Sequence, residues 1–318
     1  MRLMKLSTVY LAVLFWGGTI HDIFAQGNEP TKECLAAQRV KSVTTYHIFE
    51  PSDTLRAQWK KTDSEAYDKA GNQLLWKQFA MDLADSVTYS TRKFTFNGKG
   101  QLIKTVDCTE GEAECTVDSL RLDENGLMTY RKMLRRPGKV LFEHETILQV
   151  ERNRSKQLVK IDAFDKKNVL LSQEKWVYNA GGKLLSDKIF VNNAVVQQTI
   201  YRYNKGDKLG YVATIKGEKD TLETKAYDDS ACLVREVKFD EEIKGETSYV
   251  IARSYDSRSR ETQNMTYSTY GKRLVATRRE TTTYAETCLR TGTRIYSIDQ
   301  FTGKQTLYTI IKYAYSFY

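Results

Sequence analysis

The polar–apolar pattern of this chain carries almost no helical periodicity. Short strand-like runs alternate instead with polar turns. The clearest turn lies in Tyr178-Asn179-Ala180-Gly181-Gly182-Lys183-Leu184-Leu185, and degraded copies of it recur along the sequence. The apolar residue before each turn serves as an anchor. Anchors fall at Tyr67, Phe96, Leu122, Tyr178, Tyr203, Tyr227, Tyr255 and Tyr284, and a weaker copy at Arg152 fills the one wide gap. Asp or Asn follows the anchor in every copy but Tyr284, and starts a turn by hydrogen-bonding its own backbone. Gly71, Gly100, Gly126 and Gly182 stand four residues after their anchors, where glycine supplies a positive φ. Lys156, Asp207, Ala231, Ser259 and Cys288 hold that place elsewhere.

A second turn divides each unit, as at Asn192-Asn193, Lys216–Asp220, Arg136–Lys139 and Tyr270–Lys272. Two turns in about 27 residues leave two strands of about 8–10 residues each, which makes a β-meander. The expected fold is therefore all-β, an antiparallel meander of about 20 strands. Twisted sheets rarely exceed about ten strands without curling, so the sheet curls or spirals, or as the alternative closes into a barrel. The one helical candidate is Glu33–Val40, ahead of a strand at Lys41–Phe49. No low-complexity linker interrupts the rest. The expected organisation is a leader at 1–25, a lead-in at 26–40 and a single β-repeat domain at 41–318.

The leader changes the picture of where this fold matures. Arg2 and Lys5 precede an apolar run, Leu6–Trp16, that is too short to span a bilayer. Ala25 suits a signal peptidase cut before Gln26. Export to the periplasm, the outer-membrane surface or the medium follows. Five cysteines fit that route. Cys108 and Cys115 flank a turn-like hexapeptide and are expected to pair, while the partners among Cys34, Cys232 and Cys288 stay open. The formal net charge is +9 for the whole sequence, and +8 once residues 1–25 are removed. Such an excess draws a protein toward anionic surfaces and acidic glycans, though the bases are dispersed rather than blocked. Nucleic acid is not an expected partner of an exported chain without a basic cluster.

The Tyr-Asp-x-x-Gly-x-Leu turns at Tyr67-Asp68, Tyr227-Asp228 and Tyr255-Asp256, with the Asn variants at Tyr178-Asn179 and Tyr203-Asn204, resemble the tyrosine–aspartate (YD) repeats of Rhs-type proteins. The resemblance runs from Ala66 to Tyr284. It implies a long sheet curled into a shell or strip that serves as scaffold, wall or carbohydrate-binding surface rather than as catalyst. The chain departs from that pattern in lacking Gly from five copies and in having no second domain for a shell to enclose.

Candidate chemistry is sparse. His47 and His144 are the histidines after the leader, and neither has a second ligand at metal spacing. There is no Gly-x-Ser-x-Gly and no phosphate loop. The acidic clusters Asp240-Glu241-Glu242 and Glu110/Glu112/Glu114 occupy expected turns. No catalytic residue, metal site or cofactor is expected. Tyr201 and Tyr203 share one strand face and form a candidate platform for a sugar ring, set against a role in core or cross-strand packing. The C-terminal strand carries a charge-free row, Leu307, Thr309, Ile311, Tyr313, Tyr315 and Phe317, like the last strand of an outer-membrane barrel. Charges on both faces of Lys272–Arg279 and Leu233–Phe239 oppose that likeness. The leading expectation is a non-enzymatic binding or scaffold module of the cell envelope, with an envelope glycan or another envelope protein as partner. An outer-membrane barrel is the alternative, and a glycan-acting hydrolase stands behind both. Membrane association would come through the barrel alternative or through surface charge.

Overall fold

The computed structural model describes residues 30–52, 58–80, 88–109, 114–135, 142–240, 243, 245–271 and 273–318. The expected leader with its cut at Ala25/Gln26, the turn at 136–139, and Glu110, Glu112, Glu241 and Glu242 lie outside the described residues. A short helix, α1 (Lys32–Ala37), comes first, with Thr31 as its N-cap; the Thr31 hydroxyl accepts from Cys34 N at 3.2 Å. Twenty strands follow. They begin with β1 (Val40–Phe49), β2 (Lys60–Tyr67), β3 (Gln73–Phe79), β4 (Thr88–Phe96), β5 (Leu102–Thr109) and β6 (Glu114–Leu122). Next come β7 (Met128–Arg135), β8 (Phe142–Arg152), β9 (Leu158–Phe164), β10 (Leu170–Tyr178), β11 (Leu184–Val191), β12 (Ala194–Tyr203) and β13 (Leu209–Lys216). The last are β14 (Asp220–Tyr227), β15 (Leu233–Phe239), β16 (Thr247–Tyr255), β17 (Glu261–Tyr270), β18 (Arg273–Tyr284), β19 (Arg290–Ile298) and β20 (Gln305–Phe317).

Each strand pairs antiparallel with its neighbours in sequence, and β1 pairs antiparallel with β20. The meander is therefore a closed barrel. The closed alternative is realised, and the open or spiralled sheet is not. Closure has three physical supports. An even number of strands lets an all-antiparallel sheet meet itself in register. Closure also removes both exposed edges. Finally, a β-bulge stands at each of the nine anchors, and bulges add the twist and bend that curl a sheet. The seam is clasped: Val43 faces Tyr315, Ile48 faces Ile310, the Ser42 and Ser316 hydroxyls lie 2.7 Å apart, and Tyr318 N donates to Arg39 O at 2.9 Å.

All nine anchor turns lie on one rim, and eight share one construction; the turn after Tyr284, where Ala285 replaces Asp or Asn, keeps only the bond from Ala285 N to Leu289 O at 2.9 Å. In the Asp68 turn, Asp68 N donates to Asn72 O at 2.9 Å, Gly71 N donates to Asp68 O at 3.0 Å, and Asp68 Oδ1 accepts from Ala70 N and Asn72 N at 2.9 Å. The positive φ persists where glycine is lost: Lys156, Asp207 and Ala231 sit at 63° and Ser259 at 58°. The hydroxyl of an anchor tyrosine then reaches back one unit. Tyr178 donates to Leu158 O, Tyr203 to Leu184 O, Tyr255 to Leu233 O and Tyr284 to Glu261 O, at 2.7–3.0 Å.

Alternation and register divide the wall into two faces. One carries nearly all the buried strand residues, among them Leu158, Trp176, Leu184, Asp187, Thr199, Tyr201, Val212, Glu236, Thr293 and Thr309. Side chains converge on the concave side of a curved sheet and splay on the convex side, so this face lines the lumen. Its apolar residues form two arcs. One joins α1 to β1, β2, β20 and the β18–β19 turn, and the other runs along β9–β14. Each arc follows neighbouring strands, and no described cluster joins opposite walls.

Two disulfides form. Cys108–Cys115 bridges β5 and β6 as expected from the sequence. Cys34–Cys288, left open by the sequence, ties α1 to the β18–β19 turn across 254 residues, and Cys232 is a buried free thiol. In the chain-entropy model a loop that long stabilises by about 5 kcal/mol. No helix among the described residues is long and apolar enough to cross a membrane.

Candidate functional site

The lumen wall holds its charges in pairs between or along neighbouring strands. Arg131 meets Asp118 at 2.5 Å, with both side chains mostly buried. Arg253 meets Glu236 at 2.8 Å and Glu261 at 3.5 Å, and Lys225 meets Glu223 at 2.8 Å. The tightest inward cluster is on β10–β12. The Tyr201 hydroxyl donates to Asp187 Oδ2 at 2.9 Å. Glu174 lies one strand away on the same face, and burial, reinforced by the Asp187 charge, pushes its carboxyl up to about 8. The same burial, with Asp187 beside it, raises the Tyr201 hydroxyl far above the ordinary phenol range.

This corrects the sugar-platform expectation for Tyr201. It is only 4 % exposed, and its hydroxyl is engaged with Asp187. Tyr203 is half-buried in the anchor ladder, with Lys183 Nζ 5.1 Å from its ring centroid. The eight anchors are likewise parts of the rim ladder. Sequence reasoning missed Glu174 and Asp187. The signal was a carboxylate at an inward position on each of two adjacent strands, which shows only once register is known. Of the acidic turn clusters, Asp240 caps its own turn by accepting from Ile243 N at 2.9 Å. Among the described residues no group of three or more His, Cys, Asp or Glu could hold a metal ion. His47 is half-buried beside Phe49, and burial lowers its pKa.

A cleft of about 620 Å³ opens on the anchor rim between the β8–β9 and β10–β11 turns, lined by Asn153, Gln157, Trp176, Tyr178 and Gly182. Its polar groups are committed to construction. Gln157 Nε2 donates to Gly182 O at 2.7 Å, and Asn153 Nδ2 donates to Gln157 Oε1 at 2.9 Å.

The outer wall differs in charge. Lys77, Lys93, Lys104, Arg121, Lys132, Lys160, Lys175, Lys188, Arg202, Arg235, Arg279, Arg294 and Lys312 point outward, one from each of thirteen strands. Outward acids on the described strands are confined to β8 and β9: Glu143, Glu145, Glu151 and Asp162. One stretch is unusual. Lys175 stands directly opposite Lys160 on one side and Lys188 on the other. Like charges in direct cross-strand register destabilise a sheet by up to about 1 kcal/mol per pair. Lys160 is relieved by Asp162 at 2.6 Å, while Lys175 lies 5.0 Å from the Phe190 ring centroid.

The charge-free row of the C-terminal strand does not face outward either. A bulge at Tyr308 moves Leu307 to the opposite face, and Thr309, Ile311, Tyr313 and Tyr315 turn to the lumen.

No family model matches the chain, and no curated protein matches it. Among solved structures, a porin-like protein from Bacteroides uniformis ATCC 8492 aligns at 14 % identity over 87 % of this chain and 98 % of its own, with a TM-score of 0.32. TcdB2–TccC3 aligns at 11 % identity over 78 % of this chain, which spans 18 % of that protein, with a TM-score of 0.29. A protein of unknown function from Bacteroides fragilis NCTC 9343 aligns at 12 % identity over 54 % of this chain and 93 % of its own, with a TM-score of 0.14. These likenesses are weak, and the YD resemblance remains one of turn sequence. The class that the fold itself defines is a closed antiparallel barrel of twenty strands with two disulfides.

Proposed function

We propose that this chain is a non-enzymatic cell-envelope barrel that stands in water and binds an anionic envelope polymer through its basic outer wall. Closure favours the barrel alternative of the sequence reading over the open scaffold. The two disulfides are consistent with maturation in an oxidising compartment. The wall chemistry bears on the solvent. Lys or Arg facing lipid near the midplane costs about 2–4 kcal/mol, and here nearly every sector of the outer wall carries one. The observation that carries the binding reading is the Lys160–Lys175–Lys188 row. A fold that keeps three lysines in register gives up stability that an anion would restore.

Binding to dextran sulfate, with neutral dextran as control, tests this at about 50 mM and about 500 mM salt. Expected are binding to the sulfated polymer alone, loss of it at the higher salt, and weakening by about tenfold in the Lys175→Glu, Lys188→Glu double variant. The single variant Lys175→Glu should be more stable by about 0.5–1 kcal/mol in urea, since Glu at this position would face Lys160 and Lys188 and turn both repulsions into attraction. Binding that ignores both salt and these lysines would count against the proposal. The closed twenty-strand sheet keeps an outer-membrane barrel as a second reading, in which the protein resists extraction without detergent.

A further inference from the structure

The outer wall also holds a groove of about 310 Å³ over β18–β20, at the small end of the 300–1,000 Å³ range of small-ligand pockets. Register lays out its floor. Thr283, Gly292 and Lys312 form one cross-strand row, and Thr281, Arg294 and Ile310 form the next. Gly292 leaves the middle of the first row without a side chain, and the Thr283 hydroxyl, 3.0 Å from the Thr291 hydroxyl, donates to Gly292 O at 3.2 Å. Trp59, which leads into β2, lines the other side of the groove and is 45 % exposed. Arg294 and Lys312 are exposed, and among the described residues neither is joined to a carboxylate. Thr281 and Thr283 add hydroxyls on the same face.

Each part has a bland use elsewhere in the fold, but the combination does not. An exposed indole presents an apolar face suited to the C–H face of a pyranose ring. A guanidinium and an ammonium without acidic partners suit a carboxylate on that ring, the guanidinium in bidentate fashion. A glycine floor lets the ring approach the backbone.

We propose that this groove is a subsite for one acidic pyranose unit, of the uronic acid kind, within an anionic glycan. The inference rests on the envelope-binding reading above and gives it a chemical class and a place. The unit's carboxylate lies between Arg294 and Lys312, its C–H face rests on Trp59, and its ring hydroxyls meet Thr281 and Thr283.

The test is calorimetric titration of the full chain with trigalacturonate, with galactotriose as the neutral counterpart. Trigalacturonate should bind and galactotriose should bind at least about tenfold more weakly. Trp59→Ala, and separately Arg294→Ala with Lys312→Ala, should each weaken trigalacturonate by about tenfold or more. Lys205→Ala, on the exposed β12–β13 turn and remote from the groove, should leave it within about twofold, as expected for non-contacting sites. Circular dichroism checks that the variants keep the sheet, and since all three positions face outward the fold should survive. Absence of trigalacturonate binding overturns the subsite, as does binding that survives both groove variants. Dextran sulfate binding that persists in either case leaves the broader envelope-binding reading standing, so the two failures are distinguishable.

Discussion

At the scale of single residues, position four after the anchor is the informative one. The sequence shows Gly at four copies and other residues at five, which reads as decay of a motif. The backbone keeps φ near +60° at Lys156, Asp207, Ala231 and Ser259, so the turn is intact and the substitution is borne as strain. A non-glycine residue in the left-handed region costs about 1–2 kcal/mol. Lys156→Gly should therefore raise stability by about 1 kcal/mol in urea titration, a gain that ordinary Gly substitutions never give. The turn pattern was legible because it is local: an Asx side chain bonding the amides two and four residues on needs nothing from the rest of the fold. The copy at Asp165–Val169 escaped attention because it sits on the opposite rim, yet it has the same bonds, Asp165 Oδ1 accepting from Lys167 N at 2.8 Å and Val169 N at 2.9 Å. Glu174 adds a pH effect. Its folded pKa, pushed up to about 8, lies above the unfolded value. Its contribution is complete below about pH 4.5 and is lost as pH rises through about 8. Urea midpoints at about pH 5 and about pH 8.5 should fall with pH, and Glu174→Gln should flatten that slope.

At the scale of elements, the strands were legible and their faces were not. A strand half-buried in an ordinary core alternates apolar and polar residues. Here both faces of the sheet carry charged residues, so β15 shows Arg235 on one side and Glu236 on the other, and nothing local says which turns inward. The bulge at each anchor compounds this by inserting one residue, such as Leu74 or Leu185, that is pushed into solvent. The same effect removed Leu307 from the C-terminal row. Helix α1 is the element with the most specific seat. A Cβ on Gly71, at φ +79°, would lie 2.3 Å from Lys32 O and 3.2 Å from Ala36 N. Gly71→Ala should cost about 2–4 kcal/mol, combining left-handed strain with overpacking. Gly303→Ala has a similar φ of +70° but nothing within 4 Å, and should cost about 1 kcal/mol. Equal costs in thermal melts would mean that the helix is not seated on that turn.

At the scale of the molecule, closure and charge arrangement act together. The lumen pairs its charges along the wall, as in Arg131–Asp118 and Arg253–Glu236, while among the described residues the outer wall leaves most of its bases without a carboxylate partner. That division could not be read from a net charge of +9, because it depends on the register of twenty strands. The central claim is that the outer wall faces water and anions rather than lipid tails. Flotation of the folded protein with neutral phosphatidylcholine vesicles and with anionic phosphatidylglycerol vesicles, at low salt and at about 1 M salt, tests it most directly, since exposed charge is screened within about 3 Å at the higher salt. The account predicts no association with the neutral vesicles, and association with the anionic ones that the higher salt reverses. Stable insertion into neutral vesicles that resists salt and yields only to detergent would contradict it.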